Sequence, residues 1–261
     1  MSALTYSNFL RLDELLSLQN EGAPDYEHDQ MLFVVIHQVY ELWFKAILFE
    51  LDDLIKSLYA NEQARSLHTL RRILTILKTC VSQIDILETM TPLGFLSFRD
   101  KLDAASGFQS FQFREVEFIL GYKRRGIFAN YEENSPQWQR LQARLEQPTL
   151  WDGLLHYLAQ NGHAIPADQL ERDVTQPVEA STAIQQALLD VYHSGGMDVR
   201  ICERLVDLDE GIQEWRYRHV KMVERTIGSK KGTGGSSGVG YLSGTLFKPL
   251  FPDLWAIRAE L

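Results

Sequence analysis

Two histidines stand at positions where the helical pattern of the sequence otherwise places apolar residues. One stripe within residues 27–59, spaced at three and four residues, consists of Phe33, His37, Tyr40, Phe44, Ile47, Leu51 and Leu54. A second stripe within residues 197–227 has the same spacing and consists of Leu205, Leu208, Ile212, Trp215, His219, Met222 and Thr226. A neutral imidazole that faces an apolar core needs a hydrogen-bond partner for each ring nitrogen, or a metal ion.

These histidines admit two interpretations. In the simpler one, each is a core histidine whose ring is hydrogen-bonded to a backbone carbonyl. In the other, a large planar cofactor lies between the two helices and one histidine binds its metal, as in helical bundles that hold heme. A zinc site is disfavoured because the sequence contains no H-E-x-x-H, no C-x-x-C and no tight cluster of His and Cys.

Arg99 closes a short aromatic segment that also contains Phe95 and Phe98. An arginine among aromatic rings is costly unless it meets a carboxylate, and its planar guanidinium binds a carboxylate well. A surface salt bridge with Asp100 is the competing interpretation. A pocket lined by aromatic rings, with an arginine for a carboxylate, would suit an amino acid with an aromatic side chain.

The glycine- and serine-rich segment 232–240 follows a helix and matches neither of the glycine-rich phosphate-binding motifs. Its five glycines predict a mobile flap in which Thr233 and two serines offer hydroxyls to a ligand. A plain flexible linker is the alternative. No nucleophile elbow and no Cys–His pairing supports hydrolase chemistry.

The elements that must position these residues are helical throughout. Besides the two long helices at 27–59 and 197–227, periodicity predicts helices at 64–88, 106–120, 140–159 (interrupted at Pro148) and 180–192. Thr91 as cap and Pro92 as first residue begin a further short helix. Residues 129–138 are predicted to be a surface loop and 164–177 a long connection. With no strand pattern and no internal repeat, the sequence predicts an all-α domain.

Length and composition are those of a globular protein with one sizeable core. The chain has 261 residues, of which 45% are hydrophobic and 23% charged, and its net charge is −9. An acidic chain of this kind is a poor partner for nucleic acid or anionic membrane. Two cysteines, Cys80 and Cys202, are too few for a disulfide framework. The longest unbroken apolar run, 31–36, is too short for a membrane span, so we expect a cytoplasmic protein.

Six stretches of the chain resemble the tryptophan 2,3-dioxygenase family, in the family's order from end to end. They are TYSNFLRLDELL (5–16), HDQMLFVVIHQVYELWFK (28–45), LETMTPLGFLSFRDKL (87–102), SGFQSFQFRE (106–115), WRYRHVKMVERTIG (215–228) and KKGTGGSSGVGYL (230–242). The resemblance implies an all-α helical bundle whose two long core helices enclose a b-type heme. It also implies additional short helices and a Gly/Ser-rich active-site flap.

The resemblance also implies roles for individual residues. His219, in W-R-Y-R-H, would be the axial ligand of the heme iron, and His37 the distal histidine that hydrogen-bonds the indole nitrogen. Arg99 would bind the substrate carboxylate, and Thr233 the ammonium and carboxylate from the flap. The other substrate-site residues that it implies are Phe33, Val34, Val35, Ile36, Phe95, Ser106, Gly107, Tyr6 and Phe9.

Two positions depart from the family pattern. Phe95 stands where some bacterial relatives have a tyrosine that adds a hydroxyl to the carboxylate site. Phe9 stands where a second tyrosine is usual, which removes one polar contact to the substrate.

The family further implies one heme-dioxygenase domain over residues 1–261, with a flap at 229–241. Residues 1–20 would reach the active site of a neighbouring subunit in a homotetramer. The reaction would insert both atoms of O2 into L-tryptophan and give N-formyl-L-kynurenine, the first step of tryptophan catabolism by the kynurenine pathway.

Two alternatives stay open at the level of sequence. A heme monooxygenase of the same fold could form an oxindole from tryptophan or a methylated analogue. A heme-binding or sensing protein could ligate iron with both His37 and His219, although Arg99 and Thr233 argue against such a site.

Overall fold

The computed structural model describes residues 4–103, 105–230, 232 and 238–261. Within these residues the secondary structure consists of α-helices and short 3-10 turns, without strands. The helices are α1 (Tyr6–Leu10), α2 (Leu12–Leu15), α3 (His28–Tyr59), α4 (Gln63–Leu87), α5 (Pro92–Arg99), α6 (Phe111–Ile119), α7 (Pro136–Leu145), α8 (Leu150–Gln160), α9 (Ala167–Leu170), α10 (Thr182–Ser194), α11 (Met197–Ile227), α12 (Val239–Ser243) and α13 (Pro252–Ala256). The predicted all-α class is confirmed.

Local signals at both ends define the two long helices. At the start of α3, Gln30 accepts a hydrogen bond from the backbone N–H of Glu27, which satisfies one of the free donors of the first turn. Helix α11 begins directly after two glycines with positive φ, Gly195 and Gly196, and ends at a third, Gly228 with φ 61°. These backbone conformations favour glycine and fix where the helix starts and stops.

Helix α4 holds the two long helices together, since it packs extensively against both α3 and α11. Helix α3 also contacts α5, α6 and α8, while α11 contacts α5, α12 and α13. The largest fully buried side chains of this core include Phe98, Trp151, Tyr157 and Phe251. Burial of each such side chain contributes about 1.5–3 kcal/mol to folding, so the core fixes the positions of α3, α5 and α11.

The periodic pattern located most helices, and the capping residues account for the differences. The cap at Thr91 is confirmed, because its hydroxyl accepts from the backbone N–H of Gly94 at 3.0 Å. The predicted helix 106–120 is instead a 3-10 turn, Gly107–Gln109, followed by α6. The break occurs because Ser110 caps α6 and accepts from the N–H of Phe113.

The predicted loop 129–138 is wrong at its end. Helix α7 begins at Pro136, because Ser135 caps it through the N–H of Trp138 and the proline occupies the first helical position. The predicted interruption near Pro148 is confirmed as the gap between α7 and α8. The connection 164–177 contains one short helix, α9.

Helix α3 is also long and apolar enough to cross a membrane, judged by length and composition alone. It is the one helix of the described residues with that property, and its apolar residues Leu51, Leu54 and Leu58 are fully buried in the core. A core helix meets the same criteria, so this finding carries no membrane assignment.

Candidate active site

A large cavity lies where α3, α5, α6 and α11 face one another. It contains about 1640 Å³ of empty space, counted out to its open mouth. The cavity brings together seven of the residues singled out in the sequence, namely Phe33, His37, Phe95, Arg99, Ser106, Gly107 and His219.

His37 presents a free nitrogen lone pair because its other ring nitrogen is occupied. Its Nδ1 lies 2.7 Å from the carbonyl oxygen of Phe33, one helical turn earlier. A carbonyl only accepts, so Nδ1 carries the proton and Nε2 is the unprotonated nitrogen. Burial lowers the pKa of His37, although the Phe33 carbonyl and Glu41 act in the opposite direction. The ring is therefore a neutral hydrogen-bond acceptor on the cavity wall.

His219 lies on the cavity wall that α11 forms. Its ring is stacked on Trp215, one turn earlier, with centroids 5.1 Å apart and an interplanar angle of 4°. Burial lowers the pKa of His219 to about 4, and the nearby His37 and Arg114 act in the same direction. Across the part of the chain that the structure describes, neither ring nitrogen of His219 has a hydrogen-bond partner. A neutral imidazole without such a partner is suited to bind a metal.

Phenylalanine rings form the wall between α3 and α5. The ring of Phe33 lies 5.7 Å from that of Phe95 and 5.4 Å from that of Phe98, in tilted and edge-on arrangements typical of aromatic clusters. Arg99 lies in the last turn of α5 and lines the same cavity. The site thus combines an apolar, aromatic wall with the guanidinium of Arg99, which suits a planar ligand that carries a carboxylate.

A buried ionic cluster, formed by Glu117 and three arginines, lies at the α6 side of the cavity. Glu117 is 3% exposed, and its Oε2 lies 2.6 Å from Arg114 and 2.8 Å from Arg124. Its Oε1 lies 3.3 Å from Arg216 on α11. Burial by itself raises the pKa of the Glu117 carboxyl, but the three arginines outweigh burial and hold that pKa below its usual value.

Sequence reasoning missed this ionic cluster. The available signal was the composition of α6, where Arg114, Glu115 and Glu117 lie among aromatic and aliphatic residues on every side. Charges that are buried among such residues need partners. The partner on α11, Arg216, is 99 residues away in the chain and has no local signal.

Several predicted site residues do not line the cavity. Val34 and Val35 are half-buried on α3, and Ile36 is packed in the core. Tyr6 and Phe9 lie on α1 with 75% and 69% of their surface exposed, and they are not among the described residues that line this cavity. Their roles in binding stay predictions.

Thr233 lies outside the described residues, as do residues 231 and 234–237 of the predicted flap. The described residues on either side of it, Gly232, Gly238 and Leu242, line the cavity. The described residues that flank 233–237 therefore lie at the cavity wall.

Fold and site together define an all-α protein with an internal ligand cavity between two long helices. Comparison with known sequences gives the family: the family model described as Tryptophan 2,3-dioxygenase matches residues 1–145 and 194–261. The chain belongs to the tryptophan 2,3-dioxygenase family.

Relatives named Tryptophan 2,3-dioxygenase align over the whole chain, including the segment between the two matched parts. The protein of Herpetosiphon aurantiacus is 60% identical over 259 residues, which cover 99% of both chains. The protein of Anaeromyxobacter sp. strain K is 54% identical over 260 residues, covering 100% of this chain and 97% of the relative. That of Bacillus anthracis is 42% identical over 265 residues, covering 99% and 93%.

Proposed function

We propose that this chain catalyses the heme-dependent conversion of L-tryptophan and O2 to N-formyl-L-kynurenine. The observation that carries the proposal is the joint placement of His37, Phe33, Arg99 and His219 around one cavity, in a member of this family. The activity is that of an oxidoreductase that begins tryptophan catabolism.

The residues of the cavity fit a heme group. His219 would bind its iron, since this neutral imidazole lines the cavity without a hydrogen-bond partner within the described residues. The described residues that line the cavity include three arginines and two glutamates. Positive charge is therefore in excess, and it can bind the carboxylates of heme and substrate. When bound, heme supplies the dioxygen chemistry, and the protein supplies binding, orientation and exclusion of water.

The chain's own residues orient the substrate. The unprotonated Nε2 of His37 can accept the hydrogen bond of an indole N–H, which is a positioning role and needs no proton transfer. Phe33 and Phe95 provide apolar walls for the indole ring, and Arg99 binds the carboxylate. Such fixation at two ends supplies proximity and orientation, which contribute several kcal/mol to rate enhancement.

Labelled oxygen tests the proposed reaction directly. The heme-loaded protein is reduced without air, mixed with L-tryptophan and ¹⁸O2, and the product is analysed by mass spectrometry. We expect N-formylkynurenine with two labelled atoms. An oxindole with one labelled atom would identify a monooxygenase instead, and the absence of any oxygenated product would contradict the proposal.

Arg99→Ala is expected to weaken tryptophan binding by about 2–5 kcal/mol, because the variant loses a charged group that binds the substrate carboxylate. Arg99→Lys keeps the charge but loses the planar fork, so it should recover part of the loss. Equilibrium titration with L-tryptophan measures both variants. Arg65→Ala is a matched control, since Arg65 pairs with Asp53 on the surface. Unchanged affinity in Arg99→Ala would remove this residue from the site.

We further propose that residues 1–20 complete the active site of a neighbouring subunit in a homotetramer. Leu4, Tyr6, Phe9, Leu16 and Leu18 are all exposed, an apolar surface that the described part of this chain leaves uncovered. A single domain over residues 1–261, a flap at 229–241 and a cytoplasmic location belong to the same proposal.

Deletion of residues 1–12 is therefore expected to raise the Michaelis constant for tryptophan while heme content stays the same. Steady-state kinetics and the heme-to-protein absorbance ratio measure the two effects. A deletion variant with an unaltered Michaelis constant would argue against a shared site.

A further inference from the structure

Helix α5, which carries Arg99 and Phe95, is held against the beginning of α3 at both of its ends. At the first end, Gly94 lies so close to Asp29 of α3 that a Cβ on Gly94 would overlap Asp29 Oδ2 and lie 3.2 Å from its Cγ. At the other end, Lys101 donates to the backbone carbonyl of Asp25 and lies 3.8 Å from Glu27. Arg99 lies between these two attachments.

Both attachments reach residues 25–29, the segment that leads into α3. Because α3 carries Phe33 and His37, this segment links the helix that contacts the indole ring to the helix that binds the carboxylate. The carboxylate of Asp29 lies against the first turn of α5, and its contact with Gly94 is a close steric one.

We infer that the contact between Asp29 and Gly94 sets the distance between the indole-binding and carboxylate-binding helices, and so selects ligands that carry a carboxylate at the length of an α-amino acid. Asp29 and Gly94 are positioning residues, which act through Arg99. Lys101 supports the same arrangement from the other end. Its surface ion pair contributes less, because exposed pairs contribute about 0–1 kcal/mol.

A methyl group at position 94 overlaps the carboxylate of Asp29, so that α5 must move away from α3 or the side chain of Asp29 must turn aside. Movement of α5 displaces Arg99. A displacement of about 1 Å at a binding group can cost up to a hundredfold in rate. Glycine in a helix is otherwise less favourable than alanine by up to about 1 kcal/mol, so Gly94→Ala is not expected to unfold the protein.

The inference rests on the proposed function and is tested by binding. Heme-loaded Gly94→Ala is titrated with L-tryptophan and with tryptamine, which has the indole and the amine but lacks the carboxylate. We expect the dissociation constant for L-tryptophan to rise roughly tenfold, while that for tryptamine and the heme absorption spectrum stay the same. Gly153→Ala is the matched control, because a Cβ there would make an ordinary contact of 3.5 Å with Leu58.

The double variant Asp29→Ala/Gly94→Ala distinguishes a specific contact between these two residues from a general loss of structure. Its second methyl group takes the place of the removed carboxylate, so the affinity for L-tryptophan should return toward that of the wild type. The inference would be overturned if Gly94→Ala lost affinity equally for L-tryptophan and tryptamine, or lost none for either. It would also be overturned if the double variant did not recover affinity for L-tryptophan. If the wild-type protein itself binds no L-tryptophan, the proposed function fails instead.

Discussion

His219→Ala is expected to give a folded protein that no longer retains heme and has no activity. The side chain lines the cavity and is stacked on Trp215, without hydrogen bonds to the described remainder of the chain, so its removal should leave the bundle intact. If His219 binds the heme iron as proposed, its loss removes a bond between the protein and the iron. The ratio of Soret to protein absorbance and the far-ultraviolet circular dichroism measure heme content and fold separately.

His68→Ala is the control for this variant, because His68 is exposed on α4 and its ring lies on the surface beside Arg72. It should retain heme fully. Added imidazole should restore part of the heme binding of His219→Ala, since the cavity left by the side chain accommodates a free imidazole ring. Full heme retention together with activity in His219→Ala would refute the assignment of the ligand.

Glu117→Gln is expected to destabilise the protein by about 3–5 kcal/mol, as removal of one partner from a buried ion pair generally does. The amide would leave the guanidinium groups of Arg114, Arg124 and Arg216 without their shared counter-charge. Urea unfolding measures the loss. Glu210→Gln, an exposed glutamate on α11, should change stability by less than about 0.5 kcal/mol.

The pH dependence of unfolding is a second test of the same ionic cluster. The arginines keep the pKa of Glu117 below its ordinary value of 4.5 despite burial, so the folded state binds fewer protons there than the unfolded state does. The stabilisation is complete above pH 4.5 and is lost as the pH falls through the lowered pKa. Glu117→Gln should therefore lose less stability on acidification than the wild type. Equal stability of the two proteins at neutral pH would contradict the role of this cluster.

Periodicity along the chain was sufficient to predict the two long helices and the histidines on them. The spacing of residues in 27–59 and 197–227 repeats the 3.6-residue period of a helix, so His37 and His219 had to share faces with core residues. The structure places both imidazoles on one cavity. The Phe33 carbonyl decides which ring nitrogen of His37 is protonated. Phe33 precedes His37 by one helical turn, and this spacing permits the contact but does not require it.

Local sequence patterns could not predict contacts between distant segments of the chain. The pairing of Glu117 with Arg216 and the close approach of Asp29 to Gly94 depend on how helices pack, and no spacing rule connects these residues. Helix starts at Ser110 and Ser135 were missed for a different reason. A single serine hydroxyl decides each of them, and its signal is weak beside that of the aromatic residues around it.

The central claim of the proposal is that His219 would bind the heme iron, while His37 would bind the substrate and not the iron. The most direct measurement is the absorption spectrum of the anaerobically reduced, heme-loaded protein before and after addition of carbon monoxide. We predict a Soret band that shifts on addition of the gas, because His37 would leave the iron free to bind carbon monoxide. A six-coordinate spectrum that carbon monoxide leaves unchanged, or the absence of a Soret band after loading with heme, would contradict the claim.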